Sequence, residues 1–295
     1  YEAYMRTLVL PSFGGLPLRE IGGARCDYLL KRLTKQSHHK ARHARVVLHL
    51  VFQLAARHEI IPRNPIDHVS KLRKPPSSPQ ALTPEDIDDI RAAIWAWENR
   101  SDFLGPKPDR QLGQLIETLL GTSARIGEAL AIRIRDIELT AETPTIHITG
   151  TLVCHPGVPV RRQDHPKTAR SRRRVALPSF TAEALQKRLA KITNPHPNSL
   201  LFSTRSGTPI APNNIRRLLR AVLEPAGITG VTPHSFRRTA ATTVYHETTL
   251  ELSSKLLGHS NPSTTITHYV QHEETVTPVT AEILERYFAN RTLPR

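Results

Sequence analysis

The chain has 295 residues, 38% of them hydrophobic, with 41 Lys and Arg against 26 Asp and Glu and a formal net charge of +15. That length and apolar content allow one or two domains burying about three-quarters of the unfolded surface, which argues against the shorter or less apolar ribosomal and chromatin polycations. The cationic excess points to a polyanionic partner such as DNA.

No run of about 18 apolar residues occurs, so no membrane partner is expected. Two cysteines without C-x-x-C spacing read as a reduced, cytoplasmic protein. The chain opens Tyr1-Glu2-Ala3-Tyr4, with neither Met nor a signal-peptide pattern, and reads as starting inside a helix with residues missing upstream.

From Tyr1 to about Val69 the pattern is helical. Over Ser37–His58, Ala44, Val47, Leu48, Val51, Leu54 and Ala55 recur at i, i+3, i+4 spacing, which predicts an amphipathic helix with those residues inward. Its opposite face and start carry His38, His39, Lys40, Arg42, His43 and Arg45, either a DNA-facing surface or an ordinary solvated one. His39 and His43 at i,i+4 could ligate a metal, but no third ligand suggests itself, so no metal is expected. Lys71-Leu72-Arg73-Lys74-Pro75-Pro76 and the Ser-Pro stretch after it read as an extended basic linker. The expected domains are therefore 1–72, a linker at 73–82, and 83–295.

Thr83-Pro84-Glu85-Asp86 carries an N-cap, Pro at N1 and early acids, and opens a helix to Asn99. Helices are then expected at Gln111–Leu120, Ile126–Ile134, Thr181–Lys191, Asn213–Leu223, His234–His246, Leu250–Leu257 and Ala281–Phe288, with three strands between Ile137 and Pro178 that include Thr145–Thr149 and Thr151–Cys154. Asn213–Leu223 turns Ile215, Leu218, Leu219 and Val222 inward and Arg216, Arg217 and Arg220 outward, toward DNA or solvent. Ile283, Leu284, Tyr287 and Phe288 form a late apolar stripe that packs within the chain or on a neighbouring copy. No 20–50-residue repeat is apparent.

Six residues along this order form a chemical kit. Gly121-Thr122-Ser123-Ala124-Arg125 is a small-residue turn feeding a helix, whose N-terminus suits an anion. Arg125 would add a planar fork for two phosphate oxygens, with Glu128 orienting it; the bland reading is a surface i,i+3 pair. Lys167 sits on an expected hairpin tip, ready to reach a leaving oxygen or simply solvated, and Arg170 to Arg174 leave its assignment open. His234 and Arg237 share a helical face after Thr232-Pro233, for catalysis or as a cap and a solvated cation. Leu257-Gly258-His259 ends an apolar helix, and Tyr269 follows ten residues after His259.

In this order the six resemble the signature of the tyrosine recombinase family, the phage integrases and their relatives: a T-G-x-R-x-x-E-like box, a hairpin Lys, H-x-x-R, L-G-H and a C-terminal Tyr. The resemblance covers roughly Thr83 to the C-terminus, plus a helical N-terminal part of the right size. Ser123 stands where glycine is usual, and His268 lies against Tyr269 at a spacing that fits some integrase branches better than others.

The resemblance implies a mainly α fold with a small antiparallel β-sheet (α+β), and a helical core-binding domain plus a catalytic domain clamping DNA from two sides. In the implied chemistry Tyr269 attacks phosphorus, Arg125, Arg237 and His259 hold the phosphate, His234 assists proton transfer, and Lys167 protonates the departing 5′ oxygen. A 3′-phosphotyrosyl link keeps the phosphoester energy, so no ATP, metal or other cofactor is needed. The implied partners are a specific double-stranded DNA site, a homotetramer on synapsed DNA, and accessory DNA-bending or directionality proteins. The implied setting is cytoplasmic, at the nucleoid, from a bacterium or phage. A type IB topoisomerase-like strand-transferase and a catalytically silent DNA-binding protein are the alternatives.

Overall fold

The computed structural model describes residues 1–73, 81–102, 109, 111–165, 172–193, 195–247, 252, 256, 275–276 and 278–289. The chain divides into two compact units, Tyr1–Pro79 and Gln80–Arg295, each around its own apolar core. Among the described residues no helix is long and apolar enough to cross a membrane.

In the first unit, short helical turns over Glu2–Phe13 precede two long helices, α1 (Gly23–Gln36) and α2 (His38–Arg57). Ser37 alone separates them, and its extended backbone (φ −169°, ψ 125°) interrupts the helical hydrogen-bond ladder. The helices bury Leu29, Leu30 and Leu33 against Ala41, Ala44, Val47, Leu48, Phe52 and Ala55. The spacing argument is right about Ala44, Val47, Leu48 and Ala55 but misplaces Leu54, which is 54% exposed. Phe52 fills the core instead, because the buried arc is centred on Ala44, Leu48, Phe52 and Ala55 and leaves Leu54 on its rim. Beyond α2, the Asn64 carboxamide accepts from Ile66 N at 3.0 Å and donates to the His49 carbonyl at 3.1 Å, fixing the last turn of the unit.

In the second unit the Thr83 reading is met in detail: Thr83 Oγ1 accepts from Asp86 N, and Asp86 Oδ2 accepts from Thr83 N, closing a capping box at the start of α3 (Pro84–Asn99). Helix α4 (Gln111–Thr122) is buried through Leu112, Leu115, Ile116, Leu119 and Leu120. The expected helix Ile126–Ile134 is a single turn, α5 (Ile126–Ala129). It stops there because the next backbone groups bond across to a distant segment: Leu201 N donates to Ile132 O, Ile134 N to Ser199 O and Arg135 N to Pro197 O.

The strands number more than the three expected. Strands β1 (Ile137–Glu138), β2 (Thr145–Ile148) and β5 (Arg173–Ala176) run antiparallel, with β6 (Thr275–Val276) added parallel to β5. Strands β3 (Thr151–His155) and β4 (Val158–Gln163) form a separate hairpin. Helices α6 (Ser179–Leu189), α7 (Pro212–Leu223), α8 (Pro233–Glu247) and α9 (Val279–Phe288) complete the unit. Of the expected helix Leu250–Leu257, only Leu252 and Leu256 are among the described residues, both helical. The late apolar stripe packs within the chain: Ile283, Leu284 and Phe288 join the core, and Arg91 Nη1 donates to the Phe288 carbonyl at 2.5 Å.

Helix α4 can lie against α6 only because Gly121 has no side chain. A Cβ there would stand 1.9 Å from Thr181 Oγ1 and 3.1 Å from Pro178. Gly121→Ala should therefore cost about 1–3 kcal/mol by overpacking, a fall in Tm of roughly 2–12 °C for a chain of this size. Adding Thr181→Ala should recover part of that loss in calorimetry. An unchanged Tm for Gly121→Ala alone would show that the two helices can part freely.

Candidate active site

The site begins where α4 ends. Ser123 follows Thr122 with φ +52°, a left-handed conformation that disfavours side chains by roughly 1–2 kcal/mol. This is the physical reason a glycine suits the position. Ser123 offsets the strain by donating from Oγ to the Arg237 carbonyl at 3.1 Å. In return Arg237 Nη1 donates to the Ser123 carbonyl, so the end of α4 and the helix α8 are tied twice at one residue pair. A further tie joins α8 to the start of the unit, where Leu82 N donates to Thr239 Oγ1 at 2.9 Å.

This reversal of the chain delivers Arg125. Its backbone N–H donates to Glu128 Oε2 at 3.0 Å and its Nη1 to Glu128 Oε1 at 2.7 Å. The anion-binding helix start expected here is not formed, because one turn of helix aligns too few peptide dipoles. Long side chains here can hold an anion instead. Arg125 is suited to that, with its side chain 44% exposed while its partner Glu128 is 3% exposed.

A third guanidinium completes the arrangement, and the sequence reading does not single it out. Arg173, 3% exposed, directs both Nη1 and Nη2 to Glu128 Oε2 at 3.4 Å. It lies opposite Ile148 in the β2–β5 ladder and shares its buried face with Val175, while Arg174 between them is exposed. The available signal was strand alternation within Arg172-Arg173-Arg174-Val175, which puts every second side chain inside.

Cations crowd this cluster. Burial would raise the Glu128 carboxyl, but Arg173, the Arg125 amide and the Arg125 guanidinium outweigh it and hold the group below its ordinary range. Arg173 shifts downward despite its carboxylate partner, first from burial and then from repulsion by Arg125. One carboxylate, Glu128, is shared by the guanidiniums of Arg125 and Arg173. Arg237, 1% exposed, is pulled down to about 9 by burial and by the nearby Arg173 and Arg125. His234 stands exposed on the first turn of α8; partial burial, then Arg237, Arg238 and Arg125, lower its proton affinity, so the imidazole is neutral at neutral pH.

The structure thus brings Arg125, Glu128, His234 and Arg237 together and adds Arg173. Lys167, His259 and Tyr269 lie outside the described residues. Away from this cluster, Arg216, Arg217 and Arg220 are exposed on α7, the first two bonded to Asn213 and Asn214. On α2, His39, Lys40 and Arg42 are exposed. The His43 ring packs edge-on against Tyr4 and tilted against His39, at centroid distances of 4.2 and 4.1 Å. Arg45 donates to the Ser70 and Val69 carbonyls at 2.7 and 3.4 Å, which leaves it fewer donors for a phosphate.

Residues 82–275 match the profile of the Phage integrase family. The integrase of Mycobacterium phage D29 is 26% identical over 267 residues, covering 89% of this chain and 66% of that protein. Tyrosine recombinase XerC of Bacillus subtilis (strain 168) is 28% identical over 216 residues, covering 72% of this chain and 64% of that protein. The chain thus spans just under two thirds of the length of these two relatives. A structure of the Tn1549 transposon integrase in complex with a circular intermediate DNA superposes with a TM-score of 0.73 at 19% identity, over 92% of this chain and 88% of that one.

Removing Glu128 would leave Arg173 buried without its carboxylate. Glu128→Ala should lower the unfolding free energy by about 3–5 kcal/mol, read as a lower urea midpoint. Because the folded-state pKa of Glu128 is depressed, its contribution is complete above the ordinary carboxylate range and is lost as pH falls through the lowered value. The gap between wild type and Glu128→Gln should therefore narrow on acidification; a pH-independent gap would mean the ionised carboxylate is not what stabilises.

Proposed function

The chain belongs to the Phage integrase family, and from that premise we propose that it is a site-specific DNA recombinase, cutting and rejoining double-stranded DNA through a 3′-phosphotyrosyl intermediate. The observation that supports this most is the convergence of Arg125, Arg173 and Arg237 near the Glu128 carboxylate, beside a His234 whose proton affinity is lowered. A phosphodiester is a natural anion for such a cluster of guanidiniums, and a neutral imidazole can take a proton from a phenol.

In this reading Tyr269 is the nucleophile. At neutral pH only about one part in a thousand of a free tyrosine is phenolate, so the attack needs a base and a neutralised electrophile. Arg125 and Arg237 hold the non-bridging oxygens with His259, His234 assists proton transfer, and Lys167 protonates the 5′ oxygen. The reaction needs neither metal nor ATP. Duplex DNA is held along Arg216, Arg217 and Arg220 of α7 and along His39, Lys40, Arg42 and His43 of the first unit, with Arg45 contributing less. Assembly is a homotetramer on synapsed sites, with accessory DNA-bending or directionality proteins, in a cytoplasmic and nucleoid-associated setting.

Incubation with a nicked target duplex tests this directly. Wild type should form a denaturant-resistant protein–DNA adduct and Tyr269→Phe none. Absence of an adduct with wild type would favour a catalytically silent DNA-binding protein. Tyr287 is a poor substitute nucleophile, because its hydroxyl donates to Glu247, a bond that raises its pKa. Strand exchange between two defined sites, beyond supercoil relaxation, separates a recombinase from a topoisomerase-like enzyme. Replacing Arg216, Arg217 and Arg220 together by Ala should flatten the slope of log affinity against log salt by about 3; an unchanged slope would remove α7 from the DNA interface.

A further inference from the structure

Arg173 occupies a register that strand chemistry assigns to an aliphatic residue. It lies opposite Ile148, on the buried face it shares with Val175, beside an exposed Arg174. A plain ion pair does not account for it, because apolar residues of similar volume commonly serve a buried site as well as a buried salt bridge does. What distinguishes the pair is how the Glu128 oxygens are divided. Oε2 takes Arg173 and the Arg125 amide, and Oε1 receives Nη1 of Arg125 at 2.7 Å. A carboxylate held by one oxygen from below presents the other in a fixed direction; without that hold it is free to rotate and chelate Arg125 differently.

We propose that Arg173 is a positioning residue, anchoring Glu128 through Oε2 so that Oε1 aims the Arg125 guanidinium at the scissile phosphate. This rests on the recombinase reading above. In this role Arg173 acts through Glu128. Because geometry at a reacting centre is worth far more in rate than in binding, its removal should slow cleavage while sparing affinity.

The test measures single-turnover adduct formation on a nicked duplex, and separately DNA affinity, for Arg173→Met, Arg173→Lys, Glu128→Gln and the double variant Arg173→Met/Glu128→Gln. Arg173→Met should cleave roughly 100-fold more slowly with affinity within about threefold, since it removes no phosphate contact from the salt-dependent set. Arg173→Lys, which keeps the charge, should recover most of the rate. The double variant buries no unpaired charge and should be no slower than the slower single variant, the non-additivity of residues acting as one unit. Arg173→Met should also gain an acid limb in its pH–rate profile where wild type is flat, because Glu128 loses the charge that keeps it ionised; a purely structural role would not produce this. An Arg173→Met rate equal to wild type, or losses that multiply in the double variant, would overturn the positioning role and leave the recombinase reading standing. A wild type that forms no adduct overturns that reading, and this proposal with it.

Discussion

The carboxylate of Glu128 is almost sealed from solvent, and it stays ionised because guanidiniums approach it from two sides. An ion buried there without partners would be expensive by several kcal/mol. The chain meets this demand with residues from separate elements: Arg125 from the turn after α4, and Arg173 from β5. The carboxylate therefore acts as a joint between the helical layer and the sheet. Through it, the end of α4, the single turn α5 and the edge of β5 become one rigid piece on which Arg125 is mounted.

That piece is extended to α8 by Ser123. A left-handed residue at this point turns the chain sharply enough for its carbonyl to receive Arg237 and its hydroxyl to reach the Arg237 carbonyl. The two arginines expected to grip one phosphate are thus positioned by adjoining residues of a single turn. Gly121 one helical step earlier lets α4 approach α6 closely enough for the turn to be supported from behind. Small residues at Gly121, Ser123 and Ala124 are there for approach and direction; the chemistry is carried by the long side chains they place.

Much of this was legible in the chain itself, and the misses have physical causes. The Thr83 capping box and the α7 face were readable because their determinants lie within a few residues of each other. Arg125, Glu128, His234 and Arg237 were readable as a set because their residue types and order resemble a family. The helix Ile126–Ile134 was overcalled because its backbone bonds go instead to Pro197, Ser199 and Leu201, and a local pattern carries no record of so distant a partner. Arg173 was hidden for a similar reason. Alternation with Val175 points Arg173 inward, but only the pairing of β5 with β2, which sets Arg173 against Ile148, brings it to Glu128.

In the proposed reaction, the crowding of Arg125, Arg173 and Arg237 has a consequence for the order of events at the site. In the free chain Arg237 holds its proton more weakly than a solvated guanidinium, yet at about 9 it still leaves only about one molecule in a hundred neutral at pH 7. Its depression comes first from burial and then from repulsion by Arg173 and Arg125. An incoming phosphodiester lowers that repulsion for all three groups at once, so part of its binding comes from relief of a strain already present. The same anion would raise the proton affinity of His234, which burial and then the neighbouring Arg237, Arg238 and Arg125 lower, by partly neutralising those cations. The imidazole is thus a poor proton acceptor when the pocket is empty and a better one when phosphate is bound. On the proposed reading, proton transfer from an attacking phenol would then be favoured by the bound electrophile, which would couple activation of the nucleophile to occupancy.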